Sequence, residues 1–208
     1  MHGVLEKGNR LLDTHLDLGP RLLLAAAAIV LAVGIYLLPL WSMTMFAPQY
    51  PDGLRLRIYS YTLEGGNGGQ DIKEINVLNH YIGMRDLVPE DFTEFKWLPF
   101  VTGVLALLML RAAVHGHMAQ LLDVLVLFFY FGAFSLWSFG YRMWSYGHNL
   151  ASTASVKVDP FMPPMFGSKQ LANFEVYSYP AAGAYLIGAS LLLVVAAAVV
   201  GWRRWRKE

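Results

Sequence analysis

Apolar residues fall into four long blocks, separated by polar stretches punctuated with Gly and Pro. Each block is close to the roughly 20 residues that cross a bilayer core of about 30 Å. The pattern predicts an all-α membrane protein with four transmembrane helices, over residues 22–41, 97–115, 120–144 and 180–201. The first block is too long for the apolar core of a signal peptide. Its flank carries both signs of charge and no small-residue cleavage site follows, so an uncleaved helix is expected. Two polar loops, 42–96 and 145–179, join the helices on one side. Within the first, residues 54–59 alternate as a half-buried strand does. Asp71, with Glu74 three residues on, opens a short helix. Ile72, Ile75, Leu78 and Ile82 follow at helical spacing, and Gly83 ends the pattern. The loops are expected to dock into one small α+β cap. At the chain ends, residues 1–21 carry Val4, Leu5, Leu11, Leu12, Leu16 and Leu18 at roughly helical spacing among charges. They predict an amphipathic segment on the membrane surface. Residues 202–208 form a basic tail.

Charge sets the expected orientation. Lys and Arg near span ends favour the cytoplasm. The tail has four, the N-terminal segment three, and Arg111 sits at the short central turn. An even number of spans puts both termini and that turn on one side. Both termini are therefore expected in the cytoplasm of a bacterial inner membrane, with an extracytoplasmic, periplasm-facing cap. The basic residues of the first loop do not oppose this, because long loops translocate largely regardless of charge. Arg111 and Asp123 near the ends of neighbouring spans predict an ion pair that pins the hairpin. Ala184 and Gly188 in the last span have the small-xxx-small spacing that permits close helix approach.

Composition narrows the chemistry. The chain is 56% hydrophobic and 15% charged with a net charge of +1, against about 25% charged in a soluble domain. The near-neutral balance argues against nucleic acid as a partner. The chain has no cysteine, which removes disulfide, thiolate and redox-dithiol chemistry. None of the six histidines lies in mid-span, so no bundle haem is expected. Spans without polar groups at mid-depth disfavour a channel or transporter acting alone. No nucleophile, phosphate-loop, zinc-helix or nucleotide motif is present, which weighs against an autonomous enzyme.

The side of the two loops collects methionine and histidine. Met43 and Met45 follow the first span, His80 and Met84 are four residues apart, Met143 and His148 end the third span, and Met162 and Met165 flank Pro163-Pro164. Thioether and imidazole without thiolate suit Cu(I). The candidate ligands are His80, Met84, His148, Met162 and Met165, with Met43 and Met45 as a pair at the mouth of the site. The competing reading is packing, since methionine fills irregular gaps and histidine anchors at interfaces. Asn79 reads as a backbone-capping group.

The segments Asn79-His80-Tyr81-Ile82-Gly83-Met84, Tyr146-Gly147-His148-Asn149-Leu150 and Pro160-Phe161-Met162-Pro163-Pro164, with Gly167-Ser168-Lys169-Gln170, resemble a group of small bacterial four-span membrane proteins. That group is associated with copper-enzyme accessory functions, including nitrous oxide reductase maturation. The resemblance covers the two loops and the span ends beside them, and implies no catalytic residue. It implies an accessory protein that binds or passes copper to an extracytoplasmic metalloenzyme or its assembly factors. Two alternatives stay open: a non-catalytic scaffold subunit whose loop aromatics, such as Tyr59, Phe161 and Tyr179, bind a protein partner, and a subunit of a membrane oxidoreductase.

Overall fold

The computed structural model describes residues 10–171 and 173–206. Much of the predicted amphipathic segment, with Val4 and Leu5, and the last two residues of the basic tail lie outside them. Among the described residues, four helices are long and apolar enough to cross a membrane: α1 (Leu18–Leu37), α3 (Glu94–His115), α4 (Met118–His148) and α5 (Ala182–Trp205). A shorter helix, α2 (Gln70–Tyr81), lies in the first polar segment.

The two polar segments share one antiparallel sheet. The first supplies β1 (Trp41–Ala47), β2 (Tyr50–Ile58) and β3 (Leu63–Gly65), and the second β4 (Gly167–Leu171) and β5 (Phe174–Pro180). The strand order is β3-β2-β1-β5-β4. The central strand β1 pairs with both segments, Met43 lying between Leu56 of β2 and Ser178 of β5. Strand side chains alternate between faces. Leu54, Leu56, Phe174 and Val176 are buried on the inner face, whereas Arg55 and Arg57 point outward. Ile75, Leu78 and Ile82 of the α2 stripe complete this core. The alternation at 54–59 thus falls in β2, and the helical pattern at 72–82 in α2.

Asp71 is not the cap of α2, because Gly69 occupies that position. The buried Asp71 carboxylate instead accepts from the Arg55 backbone N–H at 2.9 Å and the Asn67 amide at 2.8 Å. It ties the glycine turn and the helix start to β2.

The helices have a separate core around Leu24, Leu31, Met109, Leu121 and Val194. Helices α1 and α5 approach closely at Gly34 and Gly183. A Cβ at Gly183 would meet the Gly34 carbonyl oxygen at 2.6 Å. Ser190 adds a hydrogen bond across the same pair, to the Ala27 carbonyl at 2.8 Å. The expected close approach at Gly188 does not occur, since Gly188 is exposed with open space beside it. The Arg111–Asp123 pair is not formed either. Both line a cavity between α3 and α4, and the ion pairs among the described residues are Glu94–Arg142 and Asp17–Arg204.

The N-terminal residues that are described do not form an independent surface helix. Residues 10–13 are helical. The chain then pairs with the α3–α4 turn: Leu16 N–H bonds Gly116 O at 2.6 Å, and Met118 N–H bonds Thr14 O at 3.0 Å. Arg21 caps the end of α3, donating to the carbonyls of Ala113 and Val114 at 2.6 and 2.8 Å. A cation there also suits the negative end of the helix dipole.

Candidate functional site

Between the sheet and the helices lies a cavity of about 400 Å³. Its position follows from the strand pattern. Trp41, Met43 and Met45 alternate along β1, so all three face inward and line it. Met84, just beyond α2, and Met143, buried near the end of α4, line it too. Four of the nine methionines thus face one space.

The walls are otherwise mostly apolar, with three polar features. Asn79 is 3% exposed and lines the cavity. Its backbone carbonyl accepts from Ile82 and Met84, but among the described residues no hydrogen bond reaches its side-chain amide. The capping role expected for the side chain belongs to the backbone. Glu94 and Arg142 pair across α3 and α4 at 2.7 Å, and Ser138 donates to the other Glu94 oxygen at 2.9 Å. The Arg142 guanidinium also lies over the Phe92 ring, 5.2 Å from its centre. Ser135 completes the polar set, its hydroxyl buried without a partner.

The cavity floor is braced where three segments meet. Gly83 has φ +81, a conformation that disfavours side chains, and its carbonyl accepts from Ala151 N–H at 2.8 Å. Gly147 accepts from Phe161 N–H at 3.0 Å, with the loop so close that a Cβ there would clash with the Phe161 carbonyl oxygen. Arg85 donates to Ser145 at 3.0 Å. The Asn79–Met84, Tyr146–Leu150 and Pro160–Pro164 segments are therefore one packed unit.

The structure brings Met43, Met45 and Met84 together and leaves the other four candidates outside the cavity. His80 is exposed on α2. His148 stacks on Trp144, ring centres 4.6 Å apart, and its Nδ1 lies 2.9 Å from the Trp144 carbonyl. Met165 packs against Gly140, and its carbonyl accepts from Ser178 at 3.2 Å. Met162 is half-buried, its carbonyl bound by Lys169 at 3.0 Å. The two additions are Met143 and Asn79. The Met-Thr-Met spacing puts Met43 and Met45 on one face once residues 41–47 form a strand. Nothing local marks Met143, which reaches the cavity only because α4 continues past the bundle. No cluster of three or more His, Asp or Glu able to hold a metal occurs among the described residues.

The chain matches no protein-family model and no curated protein.

Proposed function

We propose that this is a membrane accessory protein that receives Cu(I) in the cavity between sheet and bundle. It would pass the ion to an extracytoplasmic metalloenzyme or its assembly factors. The observation that carries this reading is the convergence of the Met43, Met45, Met84 and Met143 side chains on one space. Soft thioethers select Cu(I) over harder ions. Thioether is also the only sulfur ligand the chain possesses. The apolar walls would shield the ion from water, and the unpartnered Asn79 amide offers an oxygen at the same wall. In this reading the sheet faces the periplasm of a bacterial inner membrane and both termini face the cytoplasm. The basic residues beside the ends of α1 and α5 support that orientation.

The test is Cu(I) titration of purified protein against a competing chelator, for wild type and a Met43→Leu, Met84→Leu variant. Met-to-Leu exchange nearly conserves volume and costs under about 1.5 kcal/mol in stability, so the fold should persist. Even outer-shell changes cost roughly 10–100-fold in metal affinity. Loss of two ligands should weaken Cu(I) binding by at least that much. Equal affinities would remove the cavity as the copper site.

One observation favours the scaffold reading as second. Phe134, Trp137, Tyr141 and Trp144 form a continuous ring-on-ring ladder along α4, at centre distances of 5.8–6.1 Å, and all four are exposed. Aromatic side chains of this kind dominate contact energies. A partner helix on this face would be lost on Trp137→Ala, Tyr141→Ala substitution, with copper binding intact.

A further inference from the structure

At the other end of the bundle, α3 and α4 flank a second cavity, open to the surface, of about 670 Å³. Its walls are apolar, formed by Leu108, Leu122 and Leu127 among others, but it also presents Arg111, Asp123 and Gln120. Opposite charges on adjacent helices normally close on each other. Here neither Arg111 nor Asp123 takes part in an ion pair or hydrogen bond among the described residues, although they share one cavity. The Gln120 side-chain oxygen is buried there without a donor.

Depth identifies what surrounds these groups. Arg111 is four residues before the end of α3 and Asp123 five after the start of α4. At 1.5 Å per residue both lie about 6–8 Å inside the helix ends, where headgroups meet acyl chains. Both side chains are exposed on the helix surface, so each is open to a counter-group from the surrounding lipid. The open set is one cation and one carboxylate. The complement is a molecule with one anionic group and a cation that donates several hydrogen bonds. A primary ammonium donates three, whereas a quaternary ammonium donates none. The apolar walls add acyl chains to that description.

We infer that the Arg111–Gln120–Asp123 cavity binds a phospholipid with a phosphate and a primary ammonium, phosphatidylethanolamine. Its phosphate sits on Arg111. Its ammonium donates to Asp123, and its chains lie against the leucines. The lipid fills the gap that the absent ion pair leaves and joins α3 to α4 as that pair would have done.

The test is native mass spectrometry of delipidated protein given equimolar phosphatidylethanolamine, phosphatidylcholine and phosphatidylglycerol. Wild type should retain phosphatidylethanolamine several-fold over the other two. Asp123→Asn should abolish that preference, Asp123→Glu should keep most of it, and Arg111→Gln should lower retention of all three lipids. Equal retention of the three lipids by wild type would overturn the inference, as would a preference undiminished in Asp123→Asn or retention unchanged in Arg111→Gln. The wild-type comparison decides even where a variant does not fold. Copper is absent from every arm, so the result is independent of the role proposed for the methionine cavity.

Discussion

Gly183 shows how little room the bundle leaves. Its α-carbon faces the Gly34 carbonyl oxygen so closely that one added methyl would sit at 2.6 Å. Helices in a bilayer gain little from apolar burial against each other and associate through close packing and hydrogen bonds. The Gly34–Gly183 contact and the Ser190–Ala27 bond are of that kind. Gly183→Ala should therefore lower stability by about 1–3 kcal/mol, the usual range for overpacking. A reduced thermal midpoint in detergent checks this. Gly188→Ala, in open space, should leave the midpoint nearly unchanged. The sequence pattern pointed to Gly188, because spacing along one helix cannot say which of its faces meets a neighbour.

Elements behave differently according to how local their signals are. The α2 stripe and the β2 alternation were legible because each carries its own period and ends in glycine or a turn. Strand β1 was not, since it begins almost where the first apolar block ends, so 41–47 merges with the span exit. Strand β4, Gly-Ser-Lys-Gln-Leu, is the sheet edge, and its Ser168, Lys169 and Gln170 are exposed, so no apolar alternation gives it away. Both need partners distant in the chain. The polar ties between elements carry two predictions. Tyr50 of β2 donates to Glu74 of α2. That bond, and a second from Gln70, hold the Glu74 carboxyl below its usual 4.5, while Glu74 raises the Tyr50 phenol above 10. The depressed carboxylate contributes stability above its ordinary pKa and loses it as pH falls through the lowered folded value. Wild type and Tyr50→Phe should thus differ in thermal midpoint near pH 6 and converge as pH falls through the carboxylate range. A constant gap down to low pH would refute the linkage. The second prediction concerns the Glu94–Arg142 pair, about one-fifth exposed on each side chain. Glu94→Gln leaves Arg142 uncompensated beside the cavity and should cost about 1–3 kcal/mol, read as a lower unfolding midpoint. Being partly exposed, the pair is worth less than a fully buried one.

For the whole molecule, the four apolar blocks announced the helices, and the two polar loops do join, as one five-stranded sheet seated on one end of the bundle. Of the candidate ligands, Met43, Met45 and Met84 line the cavity, whereas His80, His148, Met162 and Met165 do not, because spacing along the chain does not say which side of α2, of α4 or of the second loop faces that space. Orientation is a whole-molecule property with its own check. A reporter fused after Glu208 should be active only in its cytoplasmic form, and one inserted at the exposed Gly68 turn only in its exported form; the reverse would invert the proposed topology. The most direct test of the central claim is X-ray absorption at the copper edge on Cu(I)-loaded protein. The account predicts a sulfur-dominated shell without imidazole outer-shell scattering, reduced in the Met43→Leu, Met84→Leu variant. A nitrogen-dominated shell with imidazole scattering, unchanged in that variant, would contradict it.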